Sequence, residues 1–227
     1  MRLNLFLVIA GALSLYLASC VPQTSTPYPM TTSPLPEYTG PRETLAFINE
    51  TKTGYGIINR ELSDLFSSVT EELLLRNAYL RSRFVLVDRT RLEKVLREQR
   101  LSASGLVSPE NAPELGKLIG AQYILFGSLV TADRSRQTIG VPIPGLGQNR
   151  ASVIRASIGL SFTLVDSQTG RIVAKASVEK SAEVLEEVVV RGVGTSTNET
   201  EKVFGDLVRG AVTEGLFRIS NQLSGGS

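Results

Sequence analysis

The chain has 227 residues, 42% of them hydrophobic and 20% charged, with 24 Lys plus Arg against 22 Asp plus Glu. Because it has no histidine and only one cysteine, a Ser-His-Asp triad, a Cys-His pair, a histidine-bound metal and an internal disulfide framework are excluded. The composition predicts one globular domain plus additional segments. It leaves acid-base chemistry by Asp, Glu, Lys or Tyr open, but no motif points to such chemistry, so we expect a protein that is not an enzyme and has no cofactor.

The first twenty residues have the pattern of a lipoprotein leader. Arg2 precedes a mostly apolar run from Leu5 to Leu17, which is too short to span a bilayer as a helix. The run ends in LASC at 17–20, which resembles the lipobox of bacterial lipoproteins. We therefore expect residues 1–19 to be a signal peptide and Cys20 to be the lipidated N-terminus. The alternative is an ordinary secretory signal with a chance cysteine.

The charge balance and Val21 bear on location and partners. Removing Arg2 with the signal peptide leaves a nearly neutral chain, so no nucleic-acid partner is expected. In lipoproteins that stay in the inner membrane, the residue after the lipidated cysteine is typically an aspartate. By resemblance to these proteins, position 21 would decide the location, and here it is Val21. This favours the outer membrane, with its lipid as a partner and the main domain facing the periplasm.

Residues 20–43 are expected to be a tether. The segment 21–41 reads VPQTSTPYPMTTSPLPEYTGP, in which Glu37 is the only charged residue. Such a composition cannot build a core. As a polyproline-like spacer at about 3.1 Å per residue, it would reach roughly 65 Å from the lipid anchor.

The folded domain is expected to occupy residues 44–223. Apolar runs predict strands, and apolar residues spaced by three and four predict amphipathic helices. Asn59 or Ser63 is available to cap the first helix and Asp88 the second. The predicted strands are 44–49, 83–87 and 123–130, and the predicted helices are 60–80, 89–100, 114–119 and 201–223. Because strands and helices alternate, the predicted architecture is an α/β sheet-and-helix sandwich.

The region after residue 130 departs from this alternation. Between Ser152 and Asp166, apolar residues from Ile154 to Leu164 alternate with small or polar ones, over about twice the length of a usual strand. A Gly- and Pro-rich tip, GVPIPGLG at 140–147, precedes this strand, and a turn at 166–170 follows it. Residues 172–193 continue as a second long extended segment.

Several segments together resemble the CsgG/HfaB family, the lipoproteins that form the curli secretion channel. They are FVLVDRTRLEKVLREQRL at 84–101, ELGKLIGAQYILFGSLV at 114–130 and LVDSQTGRIV at 164–173. The resemblance implies a periplasmic domain in a homo-oligomeric ring that passes unfolded polypeptide with the help of periplasmic accessory proteins. It also implies two extended hairpins per subunit in a shared outer-membrane β-barrel, here 131–165 and 171–200.

The resemblance also implies a channel constriction in the loop before the first helix. There the family has a Tyr, an Asn four residues later and an adjoining Phe. This sequence has Tyr55 and Asn59 at the same spacing, while Arg60 stands where the Phe would be. A ring of Arg60 side chains would make the constriction cationic rather than apolar. The alternative is that Asn59 caps the helix and Arg60 is a solvated residue of its first turn.

The candidate barrel strands are unevenly suited to lipid. Asp133, Arg134 and Arg136 crowd the first arm, and Phe162 is the only aromatic residue between Gly127 and Val203. Outer-membrane barrels usually carry aromatic girdles. These features favour a second interpretation, a lipid-tethered periplasmic interaction module without a pore, similar to the lipoprotein activators of penicillin-binding proteins.

Overall fold

A six-stranded mixed sheet with the order β2-β1-β3-β4-β5-β6 lies at the centre of the domain. The computed structural model describes residues 35, 37–54, 57–98, 108–142, 148–190, 193–196 and 200–225. The strands are β1 Glu43–Asn49, β2 Phe84–Leu86, β3 Tyr123–Pro142, β4 Gln148–Asp166, β5 Ile172–Val190 and β6 Val193–Ser196. The helices are α1 Arg60–Arg76, α2 Ala78–Arg83, α3 Arg89–Glu98, α4 Ala112–Ile119 and α5 Thr200–Leu223. The predicted α/β class is confirmed.

The prediction of one continuous helix over 60–80 is wrong at Asn77, which divides the segment into α1 and α2. Asn77 has extended backbone angles, φ −68° and ψ 115°. Its Oδ1 accepts a hydrogen bond from the Leu80 N–H at 3.0 Å, which caps α2. Its Nδ2 donates to Ser220 Oγ of α5 at 3.0 Å. The break therefore follows from an asparagine whose side chain competes with the helix backbone.

Helices cover the sheet on both faces. Because alternate residues of a strand point to opposite faces, Leu45 and Phe47 of β1 join one buried cluster, with residues of α1, α2 and α5. Ala46 and Ile48 join the other cluster, with residues of α3 and α4. The core is thus two apolar layers separated by the sheet.

Strand direction changes across the sheet. β1 is parallel to both β2 and β3, whereas β4 is antiparallel to both of its neighbours, β3 and β5. We call these last three strands the ribbon. Each ribbon strand rises about 3.3 Å per residue and is therefore roughly 60 Å long. β3 passes through residue 131 without a break and has only a bulge between Leu129 and Thr131.

The second expected hairpin, 171–200, has arms of unequal length. Its first arm is β5, and its second arm contains β6, which pairs with Glu187–Val190 over four residues. Only nine residues separate Val190 from the start of α5 at Thr200. The chain between β5 and α5 is therefore too short for a second strand as long as β5. No helix among the described residues has both the length and the apolar character to cross a membrane.

Candidate functional sites

The loop expected to form the constriction is described only in part. Tyr55 and Cys20 lie outside the described residues. Asn59 Oδ1 accepts a hydrogen bond from the Leu62 N–H at 2.8 Å, so this side chain caps α1. Arg60 is the first residue of α1, and its side chain is exposed. The structure thus places Asn59 and Arg60 side by side at the helix N-terminus, in the geometry of the capping alternative.

A crevice opens at the carboxyl end of β1. The connection from β1 to β2 contains α1 and α2, which lie on one face of the sheet. The connection from β2 to β3 contains α3 and α4, which lie on the other face. Connections that diverge to opposite faces leave a cleft outside the carboxyl ends of the strands, where α/β proteins commonly bind ligands. Here the cleft has a volume of about 880 Å³, within the range usual for ligand pockets.

Asn49, the last residue of β1, holds the floor of this crevice together. Its Nδ2 donates to Ser67 Oγ at 2.7 Å and to Ser63 Oγ at 3.0 Å, both on α1. Its Oδ1 accepts from the Thr51 N–H at 2.9 Å. Thr51 Oγ1 in turn accepts from the Leu129 N–H of β3 at 2.9 Å. One asparagine therefore joins the end of β1 to the helix and, through Thr51, to β3.

Acidic groups outnumber basic ones around the crevice. Its lining includes four carboxylates, from Glu50, Asp64, Glu71 and Glu93, and two cations, from Lys52 and Arg89. Arg89 Nε donates to Glu93 Oε1 at 2.8 Å, and its Nη1 lies 3.5 Å from Glu71 Oε1.

Two of these carboxyl groups titrate above their ordinary range. Burial, with the nearby charge of Glu110, raises the pKa of Glu50. Burial also raises the pKa of Glu71, and the Glu93 and Asp88 charges act in the same direction against Arg89. Burial is the main cause in both, so these two carboxyl groups are ionised less readily in the folded protein than in water.

The sequence pattern did not identify this crevice. Its residues come from β1, α1, α3, β3 and the loops between them, so only the strand order and the opposite faces of the two crossovers bring them together. The available signal was Asn49, a polar residue directly after an apolar strand.

The ribbon has one apolar face, and part of this face is covered by α5. Ile158, Leu160 and Phe162 of β4 belong to one buried cluster with Val208 and Leu216 of α5. Each of these side chains is at most 2% exposed.

Polar contacts attach the same helix to β5. Lys180 of β5 forms a salt bridge with Glu214 of α5. This contact, chiefly, lowers the pKa of Glu214 against the opposing effect of burial, and Arg218 lowers it further. Apolar packing and ion pairing thus both hold α5 against the ribbon.

The two outer edges of the ribbon differ. β1 pairs with β3 only as far as Gly127, and on this edge, opposite β4, no described strand pairs with β3 after that residue. The next donor on this edge, the Leu129 N–H, is held by Thr51 Oγ1. Along β5, Gln222 of α5 accepts from the Lys175 N–H at 3.0 Å and donates to the Lys175 carbonyl at 2.8 Å. Arg218 Nη1 donates to the Ser177 carbonyl at 2.7 Å. Side chains of α5 thus occupy backbone groups of β5 that an added strand would need.

Fold and sequence together define an α/β sandwich with a long antiparallel ribbon. The chain belongs to the CsgG family: the family model described as "Curli production assembly/transport component CsgG" matches residues 24–225. The resemblance stated from the sequence is therefore confirmed. No curated protein sequence matches the chain significantly.

Solved structures with a similar fold include bacterial lipoproteins. Lipoprotein GNA1162 from Neisseria meningitidis is 16% identical, with a TM-score of 0.45, over 77% of this chain and 97% of that one. The LpoB C-terminal domain from Salmonella enterica is 20% identical, with a TM-score of 0.34, over 61% and 82%. A PelC dodecamer from Paraburkholderia phytofirmans is 11% identical, with a TM-score of 0.37, over 81% and 93%.

Proposed function

We propose that this protein is a non-enzymatic outer-membrane lipoprotein of the CsgG type, anchored through Cys20 with its domain in the periplasm. It acts there as a homo-oligomeric ring in the secretion and assembly of curli-like polypeptides. The observation that carries this proposal is the family match, which extends from residue 24 to residue 225. An unfolded chain needs an aqueous passage of suitable width rather than a catalytic residue, which agrees with the absence of histidine.

The ring follows from the chemistry of backbone in lipid. Each unpaired backbone group costs several kcal/mol in hydrocarbon, so a ribbon with open edges cannot cross a bilayer alone and must be closed by neighbouring copies. The β3 edge beyond Leu129, whose own N–H is held by Thr51 Oγ1, is one edge for such a contact. In the ring, Tyr55, Asn59 and Arg60 line the constriction, and Arg60 makes it cationic.

Mass and conductance test this proposal together. The lipidated protein, purified in mild detergent, is expected to give a discrete oligomer by native mass spectrometry and rings in negative-stain images. The same material is expected to conduct ions in planar bilayers. A monomer without conductance would refute the ring.

The packing of α5 over part of the ribbon favours a second candidate function, a tethered periplasmic interaction module without a pore. A strand that crosses lipid must present an apolar face to it, but part of the apolar face of β4 is packed against Val208 and Leu216. Gln222 and Arg218 also occupy the β5 edge. In this candidate the Pro-rich segment carries the domain to a periplasmic partner.

Membrane extraction separates the two candidates. Residues 1–20 are replaced by a cleavable secretory signal, so that the mature chain begins at Val21 without an acyl group. Recovery in the periplasmic soluble fraction is the result expected for the tethered module. Retention in the outer membrane, resistant to alkaline carbonate, is the result expected for a barrel subunit.

A further inference from the structure

We propose that α5 consists of two parts with different roles. Its N-terminal part, residues 200–212, comes away from the ribbon and uncovers the ribbon surface that contacts lipid, while its C-terminal part, residues 214–223, stays in place. This inference rests on the proposed function and deepens it, because it names the conformational change that lets the ribbon enter the membrane.

The C-terminal part of α5 is tied to β5 by polar groups. Glu214 forms a salt bridge with Lys180 of β5. Arg218 and Gln222 form hydrogen bonds with backbone groups of β5. Each of these contacts would leave a polar group unpaired if the helix were exchanged for lipid. The C-terminal part is therefore the part that we expect to stay on the ribbon.

The N-terminal part is held by a different force. Its described side chains, those of residues 202–212, contact the ribbon through apolar groups. Val203, Leu207 and Val208 are at most 8% exposed and belong to the buried cluster that includes Ile158 of β4. Apolar contacts are non-directional, so lipid chains can replace them without leaving a polar group unpaired.

Two glycines weaken the N-terminal part as a helix. A Cβ on Gly205 or on Gly210 would meet nothing within 4 Å, so packing requires a glycine at neither position. A glycine inside a helix is less favourable than an alanine, because the opened chain gains more freedom at glycine. Gly215 of the C-terminal part differs, since a Cβ there would lie 2.8 Å from the Phe162 ring. Local opening is therefore easiest in the N-terminal part.

Lys180 marks a boundary on the apolar face of the ribbon. It lies opposite Ile158 of β4, which in turn lies opposite Ala132 of β3. Residues directly opposite each other share a face, so Lys180 is on the face that α5 covers. A lysine that faces lipid is unfavourable, but here it stays paired with Glu214 of the C-terminal part. The row from Ala132 to Lys180 is therefore the expected limit of the lipid-exposed surface.

The ribbon beyond this row has the length of a membrane crossing. It consists of residues 133–142 of β3, 148–157 of β4 and 181–190 of β5, which is ten residues in each strand. A transmembrane β-strand needs about 9 to 11 residues. The boundary set by the salt bridge thus leaves as much strand as a bilayer requires.

The centre of the face that would be uncovered is apolar. Ile154 and Ala156 of β4 are at most 1% exposed. They lie opposite Val184 and Ala182 of β5, and these two side chains also pack against the buried cluster. Lipid in place of the helix would therefore meet apolar side chains on both strands.

Arginines on this face lie towards its two ends. Arg134 and Arg136 are opposite Ala156 and Ile154, near the boundary row, and Arg150 is opposite Gly140, near the end of the hairpin. From such positions a long basic side chain reaches the headgroup region with its charged end. These arginines are therefore compatible with insertion of the ribbon.

Photochemical cross-linking of the lipidated protein in phospholipid vesicles tests the inference. An aliphatic diazirine amino acid replaces Val184, beyond the boundary row, or Val178, which lies opposite Leu160 on the other side of Lys180. After illumination, mass spectrometry is expected to find phospholipid adducts at Val184 and adducts with an α5 peptide at Val178. An α5 adduct at Val184, or a phospholipid adduct at Val178, would overturn the division of α5 into two parts.

A helix-stabilising variant tests the same opening by its rate. Gly205→Ala/Gly210→Ala favours the closed helix and is expected to slow the onset of ion flux into vesicles about tenfold after the protein is added. The matched control is Ser68→Ala, which raises helix propensity at an exposed position of α1 and is expected to leave the onset unchanged. An equal onset in the double variant and the unsubstituted protein would contradict the opening of α5.

Native mass spectrometry of the same preparation keeps the two proposals apart. A ring in which Val184 still reacts with α5 refutes the opening of α5 alone. A preparation without rings refutes the ring alone if Val184 reacts with phospholipid, and it refutes both if Val184 reacts with α5.

Discussion

Arg83 and Glu43 form a salt bridge at the amino end of β1, with 2.9 Å between Arg83 Nε and Glu43 Oε2. The Arg83 guanidinium also lies 5.1 Å from the ring centroid of Tyr38 and 5.6 Å from that of Tyr123. Burial alone would lower the pKa of Arg83, but the contact with Glu43 raises it overall. Tyr38 lies in the segment expected to be tether, so this cluster fixes the point at which the tether joins the domain.

Removing the carboxylate should destabilise the domain measurably. Glu43→Gln leaves Arg83, whose side chain is only 14% exposed, without its charged partner. We expect a loss of about 1 to 2 kcal/mol in the free energy of unfolding, measured by urea denaturation. The control is Glu183→Gln, which breaks the exposed Arg155–Glu183 pair and should cost below about 0.5 kcal/mol. Equal losses in both variants would contradict the buried role of Arg83.

Two glycines of α5 should respond oppositely to alanine. A Cβ on Gly215 would lie 2.8 Å from Cδ2 and Cε2 of the Phe162 ring, whereas a Cβ on Gly210 would meet nothing within 4 Å. Gly210→Ala should therefore stabilise the protein by about 0.5 to 1 kcal/mol through helix propensity. Gly215→Ala should lose about 1 kcal/mol despite the same propensity, because overpacking costs more.

Thermal unfolding of the two alanine variants in parallel measures this difference. Phe162 stacks on Phe66 with a centroid distance of 5.8 Å, so its ring cannot move away from α5 without disturbing α1. If Gly215→Ala proved as stable as Gly210→Ala, the close contact between α5 and β4 would be wrong. The cover of the ribbon by α5 would then need revision.

Local patterns were sufficient for most of the fold. The alternation in β4 and the apolar runs of β1 and β3 predict their strands, because each strand buries at least one face over its length. The helix break at Asn77 was missed because Asn77 interrupts no apolar periodicity. Its cause is an interaction with Ser220, which lies 143 residues away in the sequence.

The sites were less accessible from sequence. The sequence predicts Asn59 as a possible cap, and the structure shows this cap. Such a prediction is possible because capping depends on residues only three positions apart. The crevice depends on the strand order β2-β1-β3 and on crossovers to opposite faces, neither of which a local pattern contains. The contact of Gln222 with the β5 edge is also invisible in the sequence, because it joins residues 47 positions apart.

Removing the charge of Glu50 should stabilise the protein in a pH-dependent way. Burial raises the pKa of Glu50 in the folded state above the ordinary 4.5. The folded state therefore holds this proton more tightly, and stability falls as pH rises through this range. Glu50→Gln removes that penalty. At pH 7 we expect a gain below about 1 kcal/mol, because Glu50 is partly exposed, and at pH 3.5 we expect no difference.

Glu214 is expected to show the opposite dependence of stability on pH. Lys180 chiefly lowers its pKa in the folded state, so Glu214 contributes stability that is present above pH 4.5 and lost as pH falls through the lowered pKa. Glu214→Gln should therefore destabilise the protein at pH 7 and have less effect in acid. Urea denaturation between pH 3 and pH 7 measures both variants. If the change in the free energy of unfolding followed the same pH trend in both variants, the opposite pKa shifts of Glu50 and Glu214 would be wrong.

Substitutions of Asn59 separate its cap from its proposed place in a channel. Asn59→Ala should cost about 1 kcal/mol, because the Leu62 N–H loses its acceptor. Asn59→Asp keeps an acceptor and adds a negative charge near the positive end of the helix dipole, so it should preserve stability. If Asn59 lines a constriction beside Arg60, the added carboxylates should shift the reversal potential in planar bilayers towards cation selectivity. Asn59→Ser, a cap without charge, is the matched control. Unchanged selectivity in conducting Asn59→Asp rings would leave this residue with the capping role alone.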